Sequence, residues 1–479
     1  MTKRPKIVDV GGIQVEIGPP ISTDGGLVFV ARHIRGSAWF RALIPAARAA
    51  IAGFEGQRYG FAAEEKLSRT VLALVCGFAM GYRSGKEIAD VIDADKLWRK
   101  VLGGRVPQID LSRLVCVLAE TGIDLLRLAV LASASEGIEV LHLDGDSSLL
   151  ELHGKQQGGA FNGHYKEFGY HAGWMLEASG RIAALWLNEG NAHTAEGQAS
   201  TLEWMLEGSG RIAALWLNEG NAHTAEGQAE KLEWMLANGA RIGSYRGDAG
   251  MPSPRLMHGL EAMGATYAMR LRGNARLDEV AQSLCPDLPK VGGAAAFGEF
   301  RHAVKSWGTD RRVVVKWQVP ETKDGAAALF AESFYFVTNR VDAPAAVVEH
   351  YLGRGEAERR FGEFVAAFEP TFRHAEMAKN EVWAQLLALA HNTLVDLRAR
   401  VNGGTELKPR PTQKPIRGES GWSALATTYV MAHVRPSLAR FRAFALKLAN
   451  AAIDHSRRRW MRLAPQHLKP AWAESLIAG

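Results

Sequence analysis

Residues 138–150 read IEVLHLDGDSSLL, and the rest of the chain is arranged around them. Apolar side chains at Ile138, Val140, Leu141 and Leu143 run into two carboxylates, Asp144 and Asp146, and then into small polar residues. Alternation with a period of two, broken at Gly145, predicts a buried strand that ends in acid. A carboxylate at the end of a central strand is held rigidly and faces a crevice, which suits an oxygen-liganded metal ion. The plain alternative is an acidic strand-to-turn junction with no chemistry.

Toward the C-terminus, His153–Leu176 is polar, Gly-rich and aromatic and predicts a loop followed by a strand. It gathers Lys155, Gln156, Asn162, His164, Tyr165 and Lys166 beside the acidic strand. These donors suit phosphate oxygens; a solvated loop is the alternative. The sequence RIAALWLNEGNAHTAEGQA at Arg181–Ala199 then recurs without change at Arg211–Ala229, 30 residues on. Identical copies, two in number, are unlike a solenoid, and they read as a tandem duplication. The tripeptide Trp-Met-Leu at 174–176, 204–206 and 234–236 supplies the misaligned ends. Each copy predicts a strand (Arg181–Leu187, Arg211–Leu217) and a helix (Thr194–Leu206, Thr224–Leu236). One unit fills one slot in a sheet, so one copy is expected in the core and the other is expected to protrude.

Ala240–Asp248 predicts a second strand ending in a carboxylate, Ser253–Met263 a helix, Thr266–Leu271 a strand and Arg272–Phe297 irregular chain. Strands follow at Gly298–Trp307, Arg311–Gln318 and Ser333–Thr338. The pattern is helical again over Ala345–Phe368, where Tyr351, Arg354 and Glu358 are spaced to share one helix face. Lys379–Arg400 predicts a long helix and Val401–Glu419 a linker. The C-terminal part predicts basic helix, with nine Lys or Arg, Arg457 and Arg458 among them, against one acid between Met431 and Pro470. That face lies on phosphates or is simply solvated. Toward the N-terminus, residues 1–25 predict a tail with some strand and Gly26–Glu136 predicts helices, of which Ser68–Tyr82 is apolar nearly all round and therefore buried.

A length of 479 residues implies two or three domains. A net charge of +6 is compatible with a nucleic-acid partner. Cys76, Cys116 and Cys285 are scattered and lack C-x-x-C spacing, which argues against a disulfide framework and a zinc site. No run reaches the ~18 apolar residues of a membrane span, and MTKRPKIVDVGG has no apolar signal core. A soluble cytoplasmic protein with no membrane partner is expected.

Asp144 and Asp248 each end a predicted strand, and Glu358 lies on a helix after a strand-rich stretch. Three such carboxylates converging on one sheet edge suit two Mg²⁺ ions, which are hard and take oxygen ligands. A pair about 4 Å apart activates a water or a 3′-hydroxyl and stabilises the leaving oxygen of a phosphodiester. The pieces LDGD at 143–146, HGKQQGGAFNGHY after it, YRGDAG at 245–250, RLRGN at 270–274 and YLGRGEAE at 351–358 resemble, in that order, the DDE transposases of bacterial insertion sequences, and among them the insertion sequence 1380 family. The resemblance runs from about Gly26 to Pro465.

That resemblance implies an α/β fold: an RNase H-like mixed sheet flanked by helices, with helical N- and C-terminal regions and a β-rich insertion. It divides the chain into a DNA-binding region (1–136), the first part of the catalytic core (137–273, with the duplicated unit 181–210/211–240), the insertion (274–342), core helices with Glu358 (343–400) and a basic C-terminal region (401–479). It implies Asp144, Asp248 and Glu358 as the catalytic, metal-holding triad, with Asp146 the lesser candidate for the first place. Supporting or DNA-binding roles fall to Tyr351, Arg354, Lys155, Gln156, Asn162, His164, Arg246, Asn274, Arg457 and Arg458. Two Mg²⁺ ions, with Mn²⁺ as a substitute, are the implied cofactors. Double-stranded DNA, as terminal inverted repeats and as target, is the implied partner of a nucleoid-associated homodimer, and cut-and-paste transposition is the implied reaction.

Two positions depart from the family pattern. A basic residue is usual seven positions after the glutamate, and here that residue is Val365. The repeat also lengthens the Asp144–Asp248 separation to 104 residues (248 less 144). Two other readings stand beside this one. A DNA-binding remnant would keep the fold and bind the repeats without cutting them. The motif Asp144-Gly145-Asp146-Ser147 also resembles the nucleophile of haloacid dehalogenase-like phosphatases, whose metal motif requires an acid where this chain has Pro252.

Overall fold

The acid-bearing run becomes a long strand because its apolar residues alternate, and a sheet assembles on both of its edges. The computed structural model describes residues 6–10, 13–17, 23–54, 60–61, 63–163, 165–188, 232–288, 291–320, 331–401, 437–446, 450–455 and 458–463. In chain order the described strands are β1 (Lys6–Val10), β2 (Ile13–Ile17), β3 (Leu141–Glu151), β4 (Ala160–Asn162), β5 (Glu167–Glu177), β6 (Ile182–Asn188), β7 (Ile242–Gly247), β8 (Thr266–Leu271), β9 (Ala295–Ala303), β10 (Asp310–Gln318), β11 (Glu332–Thr338), β12 (Asn450–His455) and β13 (Arg458–Leu463).

Nine of them form one mixed sheet in the order β4-β5-β3-β7-β8-β11-β10-β9, with β6 also paired to β5. β3, β5 and β6 are antiparallel neighbours, whereas β7 and β8 run parallel to β3. The central part, β6-β5-β3-β7-β8, is consistent with an RNase H-like core. β11 joins the free edge of β8, so β9, β10 and β11 extend this same sheet.

Both faces are covered. Leu141, Leu143, Tyr245 and Tyr267 pack on one face with Leu256, Met257 and Leu260 of the helix Pro254–Ala262. Leu150, Tyr170 and Trp174 pack on the other with the helix Gly355–Phe368 and the long helix Met377–Val401. The N-terminal helices join this second core, among them Glu64–Met80, whose residues from Val71 to Met80 are all buried as its uniformly apolar pattern requires.

The structure corrects three expectations. The stretch 345–368 is two helices, Pro344–Leu352 and Gly355–Phe368, so Tyr351 and Glu358 do not share one helix. Arg272–Phe297 is not irregular throughout: Ala275–Leu284 is helical, and Asn274 caps it by accepting from the Leu277 N–H at 3.1 Å. The described C-terminal residues are not mainly helical. A short helix, Leu438–Phe441, is followed by the antiparallel pair β12–β13. The run 458–463 has no clear period of its own, and its pairing with Asn450–His455 makes it a strand.

The two copies of the repeat share one slot. β6 comes from the first copy, while helical residues 232–237 come from the second, with Leu232, Trp234 and Met235 buried beside Ala184 and Trp186. The strand predicted at 211–217 and most of both predicted helices lie outside the described residues, as do His164, Arg457 and the 401–419 linker apart from its first residue. No described helix is long and apolar enough to cross a membrane.

Candidate active site

The parallel pairing of β3 with β7 places Asp144 opposite Arg246 and Gly145 opposite Gly247. Asp146 and Asp248 each follow by one residue and so stand side by side where β7 ends, while β3 runs on to Glu151 and does not end at Asp144 and Asp146 as its sequence predicts. In β3, Asp144 and Asp146 share the pleat face of Leu150, which looks toward the helix Gly355–Phe368.

A stacked pair docks that helix. The Trp174 ring lies 4.7 Å from Phe361, with planes 12° apart. Trp174 is the direct β5 partner of Asp146, and Phe361 lies one turn after Glu358. The stack therefore places Glu358 over β3 near Asp146. Arg354 completes the link, donating to Asp146 Oδ2 at 2.6 Å and to Glu358 Oε1 at 2.5 Å. Its guanidinium also lies over the Tyr351 ring, 6.0 Å from the centroid. Tyr351 is buried and packs on Phe336 of β11 at 4.8 Å.

The two aspartates of β3 differ in environment. Asp144 is 4% exposed and takes a two-pronged bond from Arg246, at 2.5 Å and 2.7 Å. Asp146 accepts from the Ser147 N–H at 2.8 Å and from Arg354. Burial raises the Asp146 carboxyl above the ordinary aspartate range; Arg354 opposes the rise, and Asp248 reinforces it. Asp248 accepts from the Gly250 N–H at 2.8 Å, which fixes its rotamer in the turn after β7.

The remaining predicted residues separate by place. Arg246 is engaged by Asp144 and by the His350 carbonyl, to which it donates at 2.9 Å. Lys155 is exposed on the loop after β3. Gln156 instead braces the fold, donating to the Phe372 carbonyl at 2.8 Å. Asn162 is buried, and its side chain accepts from the Tyr165 N–H at 3.2 Å. Asn274 serves the helix cap described above. Arg458 lies in β13, outside the acid cluster's sheet.

Sequence reasoning gave no role to Trp174, Phe361 or Gly353, and offered Tyr165 only as a donor to phosphate. The repeated Trp-Met-Leu tripeptide drew attention to Trp174 without revealing its stacking partner. Burial raises the Tyr165 hydroxyl, and the charges of Asp146 and Asp248 raise it further, so this half-open tyrosine feels both acids.

Among the described residues no three His, Cys, Asp or Glu side chains are gathered tightly enough to form a ready cation cage. The donor set is still that of a hard divalent ion. Asp146, Asp248 and Glu358 supply only oxygen, and the Arg354 cation already bridges two of them. A cluster that draws a guanidinium between its carboxylates is one that positive charge stabilises.

The family model described as Transposase DDE domain group 1 matches residues 13–414. No curated protein matches the chain. The match spans both aspartate-bearing strands and the glutamate-bearing helix, and it sets the phosphatase reading aside. With a sheet consistent with an RNase H-like core, acids at matching positions of two neighbouring parallel strands and a third on the helix docked above them, the chain belongs to the DDE transposase domain family.

Proposed function

We propose that this protein cuts DNA at the terminal inverted repeats of an insertion sequence and joins the freed ends to target DNA, with Asp146, Asp248 and Glu358 as the metal-holding carboxylates. One observation carries the assignment: Asp146, within β3, and Asp248, just past the end of β7, stand at matching positions of neighbouring parallel strands, and Arg354 ties Asp146 to Glu358. Asp144, expected first from sequence, is engaged by Arg246 on both oxygens and is nearly closed to solvent. The Asp146 side chain is the more exposed of the two.

Transposases of this family generally use divalent metals, and Mg²⁺ is the ion this oxygen-only set suits best. When bound, the metal neutralises charge on the scissile phosphate and acidifies the attacking hydroxyl. The chain's own groups orient the reaction. The paired strands fix Asp146 and Asp248, the Trp174–Phe361 stack fixes Glu358, and Arg354 holds the cluster until DNA gives its guanidinium a phosphate oxygen instead. Tyr165 borders the cluster on the loop side, where a DNA backbone would run. Two subunits holding two ends make a homodimer the working form.

The test is cleavage of a labelled duplex carrying the element's own ends, with Mg²⁺. Wild type should cut, Asp146→Asn, Asp248→Asn and Glu358→Gln should fall to background, and Asp144→Asn should retain measurable cutting. A dead Asp144→Asn beside an active Asp146→Asn would reverse the assignment. Binding of the ends without cutting by the wild type would make the chain the DNA-binding remnant.

A further inference from the structure

We propose that Arg246, held by Asp144 and given room by Gly353, is a positioning clamp that sets the spacing of the three carboxylates and does not contact DNA. The proposal rests on the reading of Asp146, Asp248 and Glu358 as the metal-holding set.

The geometry is that of one guanidinium joining three elements. Arg246 lies two residues before Asp248 on β7, and Asp144 lies two residues before Asp146 on β3; the two are direct partners in the parallel ladder. The Arg246 Nε donates to Asp144 Oδ1 and the Nη2 to Asp144 Oδ2. The Nη1 donates to the His350 carbonyl, in the last turn of Pro344–Leu352, where helix carbonyls lack partners within the helix. Four residues after His350 stands Arg354, which bonds Asp146 and Glu358. All three guanidinium nitrogens are thus engaged inside the protein. A lysine offers one point charge and does not reproduce this fork.

Gly353 gives a second, independent sign. Its backbone is ordinary right-handed helix (φ −59°, ψ −17°), so no conformational demand calls for glycine. A Cβ built there would lie 2.3 Å from Arg246 Nη1. Space for the guanidinium is what excludes a side chain at this junction, and the junction is where the predicted continuous helix breaks. The clamp also has a task. Asp146 and Asp248 are like charges carried on neighbouring parallel strands, so their spacing has to be held by the backbone beneath them. Groups behind metal-ligating side chains commonly govern metal affinity in this way.

The experiment is Mn²⁺ titration of the full chain, with free Mn²⁺ read by electron paramagnetic resonance and melting temperature measured on the same samples. Arg246→Lys and Gly353→Ala should each weaken Mn²⁺ binding about tenfold or more. A Cβ at 353 presses on the bonded guanidinium, so alanine there should lower the melting temperature modestly as well as the affinity, which is therefore compared on folded protein well below the melting transition. A purely structural role would lower the melting temperature and leave the Mn²⁺ affinity of the folded protein unchanged. Asp144→Asn should weaken binding to a similar extent, whereas Asp146→Asn should abolish it. Wild-type Mn²⁺ affinity in folded Arg246→Lys and Gly353→Ala would overturn the clamp, and so would loss of all binding in Asp144→Asn alone. If the clamp variants weaken Mn²⁺ binding but the wild type leaves the repeat-end duplex uncut, the clamp stands and the transposition reading fails.

Discussion

Single residues in this site take their chemistry from what surrounds them. His350 is the clearest titrating case. Burial, with Arg340 and Arg246 nearby, pushes its pKa down to about 4, and its Nε2 is buried with no hydrogen-bond partner. The unfolded chain protonates a histidine near pH 6.5. As pH falls from about 6.5 toward 4, the unfolded state therefore gains a proton that the folded state refuses. The stability this group contributes is complete above the unfolded value and is lost through that window. His350→Gln should flatten the fall in melting temperature between those pH values; parallel profiles for the two proteins would refute it. Asp146 has the opposite sign. Its raised pKa favours the protonated acid in the fold, so metal has to displace a proton, and Mn²⁺ affinity should rise with pH from the ordinary aspartate range upward. An affinity flat with pH in the wild type would count against Asp146 as a ligand. The sequence places Asp144 and Asp146 two residues apart in one run and cannot rank them. Only the arginines opposite each one separate them.

At the scale of elements, the long helix Met377–Val401 does what a further strand would otherwise do. β6 is an edge strand, and its outer backbone groups bond to helix side chains. Glu381 accepts from the Leu187 N–H at 2.8 Å, Gln385 donates to the Leu185 carbonyl at 2.7 Å, and Asn392 bonds both the N–H and the carbonyl of Ile182 at 2.7 Å and 2.8 Å. The lengths match. Eleven helical residues rise about 16 Å, and the five steps from Ile182 to Leu187 span about 17 Å of strand. Sealing an edge in this way blocks pairing with other chains. Asn392→Ala should leave two buried backbone groups unpaired and lower stability by about 3 kcal/mol, measured by chemical unfolding. A loss below about 1 kcal/mol would mean that water replaces the amide. The sequence shows a long helix here, and Glu381, Gln385 and Asn392 look like ordinary polar positions on it. Their role needs the strand beside them. In the same way the Tyr351–Glu358 spacing reads as one helix, whereas the structure has two that meet at Gly353, beside Arg246.

For the whole molecule, each copy of the repeated sequence contributes a described element through a short connection. The first copy supplies β6 because the turn from β5 is tight: the Glu177 N–H donates to the Arg181 carbonyl at 2.9 Å, and Gly180 has the left-handed φ of 93° that the turn needs. The second copy supplies helical residues 232–237 because they lead directly into β7. Removing Arg181–Gly210 restores one unit and shortens the stretch between Asn188 and residue 232 from 43 residues to 13. By loop-closure entropy the shortened chain should be more stable by about 1 kcal/mol, with its Mn²⁺ affinity unchanged. A loss of several kcal/mol on deletion would show that the surplus residues belong to the core.

The sequence alone settled the kind of protein this is. Alternation over 138–150, acids closing two apolar runs and the Tyr-x-x-Arg-x-x-x-Glu element are local patterns, and local patterns determine strands, helices and the family they resemble. Which arginine engages each carboxylate of β3, that the first copy's strand pairs with β5, and what stands against Gly353 were decided only in three dimensions. Each depends on partners far away in the chain: Arg246 for Asp144, the β5 turn for β6, and the Arg246 guanidinium for Gly353. Such pairings are set by packing and charge across the fold, which no window of sequence contains.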